Sequence, residues 1–319
     1  YNPNSNVNEL NQFIQAEKIT KDVNPSYGSI QKLHSRDSDL VALCEDKCLR
    51  ILANKDAVYN ADGNTNLTAT ANVLGQTIPF SGEFGISKNP ESFASESYRV
   101  YFTDKIRGTV MRLSKDGLTP ISMYGMREWF KDNLKLSNKL IGSYDDKKEE
   151  YNITLDNSAD GLPKTVSFKE DVKGWVSFKS FIPEFGISMA NNYYTMDEGR
   201  LYEHHKEISN NRNTFYGTFV SSSLNVILND GPGSIKSFRT LNYEGSQSKI
   251  NQVVNQTLLD FQFQPPTNYN DQEYYNLSAE NGWAVQSIVT DKDKGYTTDF
   301  IEKEGKWFAQ MNKSIDITS

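Results

Sequence analysis

Cysteine is nearly missing. Cys44 and Cys48 are the only two among 319 residues, so a disulfide framework is excluded. There are only three histidines, His34, His204 and His205. Two neighbouring His without further spaced ligands fall short of a zinc pattern. No run approaches ~18 consecutive apolar residues, so no membrane insertion by a helix is expected. Positive charge is outnumbered, 34 Lys and Arg against 41 Asp and Glu, for a formal net charge of −7. Without a basic stripe no nucleic-acid partner is expected. The phosphate loop G-x-x-x-x-G-K-[ST], the G-x-S-x-G elbow and the dinucleotide fingerprint G-x-G-x-x-G are all absent, so no cofactor is expected either.

What is present is aromatic and uncharged polar. Aromatic residues make up 12% of the chain, with 17 Tyr and 17 Phe, which excludes a disordered polymer. Abundant Asn and Ser indicate many turns. The length allows about two domains of roughly 150 residues, or one large all-β unit with a small appendage. The opening Tyr1-Asn2-Pro3-Asn4 carries no Met and reads as that of a fragment or a processed product.

Period-two alternation predicts a mainly β fold of antiparallel meanders. Asp39–Cys44 and Cys48–Leu52 flank Glu45-Asp46-Lys47 as a hairpin, and residues 54–97 read as loop. Tyr98–Thr103, Thr109–Leu113 and Leu118–Ser122 form a meander. Further strands are expected at Glu150–Leu155, Thr165–Phe168, Gly174–Phe178, Tyr193–Met196, Arg200–Glu203, Thr214–Val220, Asn225–Leu228 and Ile235–Leu241. One helix interrupts them, at about 123–140. Met126, Trp129, Phe130 and Leu134 share its face. The Ser/Gln/Asn-rich stretch at 246–270, with Pro265-Pro266, separates a small C-terminal β-unit with strands Tyr274–Leu277, Trp283–Thr290, Thr297–Glu302 and Lys306–Met311. The expected organisation is an extended arm or linker at 1–28, a main domain at 29–250 and a linker with a small β domain at 251–319.

One internal match needs no gap. Val100, Phe102, Asp104, Ile106, Arg107, Gly108 and Val110 align with Val166, Phe168, Glu170, Val172, Lys173, Gly174 and Val176. Weaker echoes lie at Tyr194–Leu201 and Asp39–Leu49. The pattern suits blades of a β-propeller, an incomplete set of which would still have to stack against one another. It equally suits two hairpins that share turn chemistry.

Candidate chemistry is sparse. Glu203-His204-His205-Lys206-Glu207 reads as a solvated polar segment. Cys44 and Cys48 read as buried free thiols. Asp291, Asp293, Asp299 and Glu302 superficially resemble a calcium loop, but Gly295 stands at position five and Tyr296 at six, against the required order. No metal site is expected. The acid pairs Asp145-Asp146, Glu149-Glu150 and Glu170-Asp171 sit in turns or charge runs and read as surface. The pairs Tyr193-Tyr194, Phe215-Tyr216 and Tyr274-Tyr275 would each turn one ring outward on a strand. The interface candidates are therefore Met126, Trp129, Phe130, Leu134, Tyr193 and Tyr274, with the 1–28 arm.

Several long strings carry a resemblance. They are Leu33-His-Ser-Arg-Asp-Ser-Asp-Leu-Val-Ala-Leu-Cys-Glu-Asp-Lys47, Ser87-Lys-Asn-Pro-Glu-Ser-Phe93, the stretch Tyr101–Ser122, Ile141-Gly-Ser-Tyr-Asp-Asp-Lys147, Gly174-Trp-Val-Ser-Phe-Lys-Ser180 and Leu241-Asn-Tyr-Glu-Gly-Ser-Gln247. Together they resemble virion structural proteins of tailed bacteriophages, those of large marine and cyanobacterial phages. The resemblance implies a non-enzymatic component of the tail, baseplate or neck, located in the phage particle. Its partners would be other virion proteins and copies of itself, and the chain would be the C-terminal part of a longer member. No catalytic residues come with it. Two alternatives stay open: a receptor module that binds host-surface glycan, with Trp175 and Trp283 as stacking candidates, and a polysaccharide depolymerase using an acid pair.

Overall fold

The computed structural model describes residues 21–36, 39–59, 65–206, 212–235, 238–250, 279–289, 294–297, 300–310 and 312–313. The chain divides into two units, Tyr1–Leu224 and Asn225–Ser319. Residues 1–20 of the expected arm, the ambiguous 251–278 stretch with its Tyr274–Leu277 strand, and Asp291, Asp293 and Asp299 lie outside the described residues.

The first unit is a succession of antiparallel meanders, each paired in sequence order. Strands β1 (Ile30–Ser35), β2 (Asp39–Cys44), β3 (Cys48–Tyr59) and β4 (Thr65–Pro79) form the first sheet. Strands β5 (Ala94–Ser95), β6 (Val100–Asp104), β7 (Thr109–Ser114) and β8 (Gly117–Pro120) form the second. After helix α1 (Arg127–Asn133) come β9 (Leu140–Asp145), β10 (Glu150–Leu155), β11 (Lys164–Lys169) and β12 (Gly174–Lys179). A three-stranded sheet follows, β13 (Phe185–Met189), β14 (Asn192–Asp197) and β15 (Arg200–Glu203). A short hairpin, β16 (Thr214–Phe215) and β17 (Thr218–Phe219), closes the unit. The mainly β reading with one helix holds for the described residues. The loop reading of 54–97 does not, because β3 runs on to Tyr59 and β4 fills 65–79. That stretch alternates Thr and Asn with Ala and Leu, an amplitude too low to stand out against its Gly and Pro.

Side-chain alternation explains the stacking. On β6, Val100 and Phe102 enter one cluster with Val41, Leu43, Cys48 and Ile86, beside Met111 and Leu113 of β7. The intervening Tyr101 and Val110 point the other way, into a cluster with Leu140, Tyr151, Ile153, Val166 and Phe168. The second sheet is thus buried on both faces, against the first sheet on one and the third on the other. Tyr101 stacks on Tyr151 with ring centroids 4.8 Å apart. A fully buried aromatic or aliphatic side chain contributes roughly 1.5–3 kcal/mol.

Helix α1 is shorter than the expected 123–140. A 3-10 turn at Ile121–Met123 and a left-handed Gly125 (φ 82°) precede it. It ends where the Asn133 side chain takes over, donating to the Trp129 carbonyl (2.7 Å) and accepting from the Ala159 amide (2.8 Å).

The gapless match is not a blade repeat. Its first copy is the β6–β7 hairpin, the second and third strands of their sheet, whereas its second copy is β11–β12, the third and fourth of theirs. The left-handed turn residue is Gly108 in one and Lys173, not the aligned Gly174, in the other. The two strings share turn chemistry one residue out of step. The weaker echoes, β2–β3 and β14–β15, do occupy the second and third strands.

In the second unit β18 (Thr240–Tyr243), β19 (Val285–Val289), β20 (Lys294–Thr297), β21 (Ile301–Lys303), β22 (Lys306–Gln310) and β23 (Asn312–Lys313) form the sheets β18-β22-β21 and β19-β20-β23. Phe300, Trp307 and Ala309 are its core, with Leu241, Tyr243, Ile250 and Val285 against them. The Trp307 indole donates to the Gly245 carbonyl (3.1 Å).

The third sheet meets the segment before β5 at a backbone crossing that admits no side chain. A Cβ on Gly142 would lie 1.9 Å from the Ser92 carbonyl oxygen, the same oxygen that accepts from the Tyr151 hydroxyl (2.9 Å). Gly142→Ala is expected to lower the urea midpoint by an amount worth roughly 2 kcal/mol or more, with unchanged slope. An unchanged midpoint would show that the crossing can open freely.

Candidate functional site

The first strand of each successive sheet reaches one cleft. Lys32 of β1, Ala94 and Ser95 of β5, Ile141–Tyr144 of β9 and Phe185–Ser188 of β13 line a hollow of about 730 Å³, together with Phe93, Lys139 and Asp146. That volume lies in the range of ligand clefts. Its charge is mixed: Lys32 and Lys139 face a lining that also holds Glu91, Asp146 and Glu184. The Lys32 ammonium sits over the Phe93 ring, 5.2 Å from its centroid. Ser188 ties β13 to the end of β9, its hydroxyl donating to the Tyr144 carbonyl (2.8 Å) and accepting from the Asp146 amide (3.0 Å). Burial first, and then the neighbouring Asp145 and Glu96, raise the Asp146 carboxyl above its usual range.

Behind this floor the third and fourth sheets meet through hydroxyls rather than hydrocarbon. The Ser143 and Tyr193 hydroxyls are 2.7 Å apart. Within the third sheet Thr165 shares a hydrogen bond with Thr154 (2.8 Å) and Ser167 donates to Asn152 (2.5 Å). Thr165 also donates to the carbonyl of Phe181 (2.7 Å), on the link to the fourth sheet. The junction ends on two histidines. The His204 ring is buried, 2.6 Å from the Thr195 hydroxyl and edge-on to Phe181. His205, left-handed at φ 60°, lies 2.6 Å from the buried Asp145 carboxylate.

Three groups that the sequence leaves on the surface are therefore wholly or partly withdrawn from it. The His pair is not a solvated segment, Asp145 is buried, and Glu170 accepts from the Tyr101 hydroxyl (2.9 Å) and the Arg112 guanidinium (2.7 Å). The long-range partners of Glu170 and of the His205–Asp145 pair lie 58 to 69 residues away along the chain, so no local pattern marks those contacts. The histidines do not form a catalytic relay. One His would have to join a hydroxyl to a carboxylate, and here Thr195 and Asp145 belong to different rings. Among the described residues no group of three or more His, Cys, Asp or Glu could hold a metal ion. Cys44 and Cys48 are free and buried, and burial pushes both thiols up.

The interface candidates disperse. Phe130 and Leu134 are fully buried in the core between the second and third sheets, so they offer no surface. Tyr193 is equally buried against Ser143, because it takes the inner face of β14. Met126 and Trp129 are half-buried, with the exposed Phe178 edge-on to Trp129 (5.4 Å). Tyr274 lies outside the described residues. Trp175 is half-buried and donates its indole proton to the Ile121 carbonyl (3.2 Å), while Trp283 is exposed.

A contiguous apolar surface lies elsewhere. On the outer face of the fourth sheet Phe185 pairs with Met196 and Met196 with Leu201, beside Ile187 opposite Tyr194, with Met189 beyond. Phe185, Ile187, Met189, Met196 and Leu201 are all exposed. Alternation along β13 would ordinarily turn these residues into a core. Here the inner face is the polar one, carrying Gly186, Ser188, Tyr193 and Thr195, so the apolar side faces outward.

Residues 12–199 match the family model of the Crassvirus muzzle protein, and residues 210–314 match that of the Crassvirus muzzle protein C-terminal domain. No curated protein matches the chain. The matched models are of crassviruses, where the sequence strings pointed to marine and cyanobacterial phages.

The buried histidine makes the junction pH-sensitive. Burial first, then His205 and Lys179, push the His204 ring down to about 4, against an opposing pull from Asp145. The unfolded chain takes up the proton at an ordinary pKa near 6.5 while the folded chain refuses it until about 4. Stability is therefore intact above about pH 6.5 and falls as pH drops through this window, by up to roughly 3 kcal/mol. Thermal unfolding across pH 4–7 is expected to show a shallower fall in His204→Gln than in the parent chain. Equal slopes would rule His204 out as the source.

Proposed function

The chain belongs to the Crassvirus muzzle protein family, and from that premise we propose that it works as a rigid β-rich assembly scaffold in the tail, baseplate or neck of the particle. Membership makes it a phage virion structural protein, with other virion proteins as its neighbours. The finer reading rests on one observation: the outward apolar face of β13–β15. Isolated exposed side chains are ordinary, but contiguous apolar faces on a folded sheet mark contact surfaces. A virion subunit meets such a requirement through repeated contacts set by symmetry.

Two further features support a mechanical role. The sheets share faces in series, so load on one is carried into the next through side chains rather than through loops. Their first strands line a common cleft, as the inner strands of propeller blades do, and the last three sheets begin at intervals of about 45 residues, the length of a blade. Met126 and Trp129, with Phe178, supply a second candidate contact on the same unit.

The protein is expected to co-sediment with intact virions and to self-associate in light scattering. Labelled particles are expected to carry it at the tail, baseplate or neck. Label on the capsid shell would overturn that location. A strictly monomeric chain absent from virions would overturn the scaffold reading as a whole.

A further inference from the structure

The fourth sheet is open where the other three are complete. Among the described residues, β1–β4, β5–β8 and β9–β12 each have four strands, while β13–β15 has three and nothing pairs with the outer edge of β15. The row Phe185, Met196, Leu201 runs across the exposed face and stops at that edge, with Leu201 59% exposed. An open edge beside an apolar face invites one more strand.

The chain also carries a strand without a sheet. Asn225–Leu228 has the composition of a strand, yet it has no secondary structure here and no hydrogen bond to any described residue. Leu224, Val226, Ile227 and Leu228 are 74%, 61%, 92% and 60% exposed. In an extended conformation Leu224, Val226 and Leu228 share one side. They would continue the row that ends at Leu201. The turn sequence Asp230-Gly231-Pro232-Gly233 lies just beyond.

We propose that residues 224–228 of one copy add to β15 of a second copy as the fourth strand of its β13–β15 sheet. Among the described residues neither the outer edge of β15 nor the segment 225–228 has a strand partner. Joined between copies, the segment buries its apolar side on the continued Phe185–Met196–Leu201 face and gains a backbone ladder. Another edge with exposed apolar side chains, β12, is a poorer acceptor, since a register shift opposite Ser167 and Phe168 bends it. The contact is head-to-tail, so each copy donates to one neighbour and accepts from another. Such a contact closes into a ring when the rotation between neighbours divides a full turn.

This inference rests on the scaffold reading, and the test separates the two. Full-length Leu201→Cys and full-length Val226→Cys are mixed under mild oxidation. Cys44 and Cys48 are buried and remain in place. Neighbouring strands bring Cα atoms within disulfide range. The expected product is a mixed disulfide dimer, at about tenfold the yield of a control mixture with Ile235→Cys, an exposed site outside the segment. In parallel, Val226→Asp combined with Leu228→Asp is expected to weaken self-association by about tenfold or more, with Ile235→Asp unchanged; both variants alter exposed positions, so folding is retained. If the parent chain does not self-associate at all, this inference falls, and the scaffold reading falls with it only if the chain is also absent from virions. If the parent self-associates but the mixed disulfide does not exceed the control, or the aspartates change nothing, strand donation alone is overturned. A disulfide that forms only within a doubly substituted chain would show that the segment returns to its own sheet.

Discussion

The second sheet is the element on which the first unit depends, because it has no free face. Val100 and Phe102 look toward the first sheet while Tyr101 looks toward the third. A strand's side chains alternate by geometry, so a strand buried on both sides is apolar at most positions, although β6 also buries Thr103. β6 meets this with Val-Tyr-Phe and ends on Asp104, whose fully buried carboxylate accepts from the Gly85 amide (3.2 Å), the Arg107 amide (3.0 Å) and the Arg107 guanidinium (3.0 Å). The charge is tolerated because each oxygen has a donor. The same carboxylate fixes both the hairpin turn and the loop arriving from the first sheet.

Successive sheet junctions use different chemistry. Between the first and second sheets, and between the second and third, hydrocarbon and stacked tyrosines do the packing. Between the third and fourth, serine and tyrosine hydroxyls and a histidine do it. A hydroxyl-rich junction gains less from burial than an apolar one but is more demanding geometrically, since every unpaired group is penalised. It fixes the fourth sheet in one orientation. That orientation turns the apolar side of β13–β15 to the outside, where a free monomer has no use for it. A subunit built for contact with other virion proteins does.

The mixed-charge cleft forms where the first strands of the four sheets of the first unit come together. It holds lysines and acids in one hollow, but no hydroxyl in its lining is bonded to a histidine. The chemistry-bearing side chains of the unit sit behind the floor and hold sheets together.

Period and turn chemistry alone determined much of this molecule. The alternation of Tyr98–Leu113 and Thr165–Phe178, the Glu45-Asp46-Lys47 turn and the i, i+3, i+4 face of Met126, Trp129 and Phe130 are local, and local geometry is what a sequence encodes directly. The strings shared with virion proteins were legible in the same way. What the sequence could not disclose is which side of an alternating strand meets a neighbour. The pattern Phe185, Ile187, Met189 is identical whether the apolar side is covered or bare, and only the polar grip of Ser188, Tyr193 and His205 on the third sheet decided that it is bare. The burial of Asp145 and the partial burial of Glu170 were settled in the same way, with partners 58 residues or more away. A side chain's protonation, burial and use follow from what folding brings beside it, and that information is spread over the whole chain.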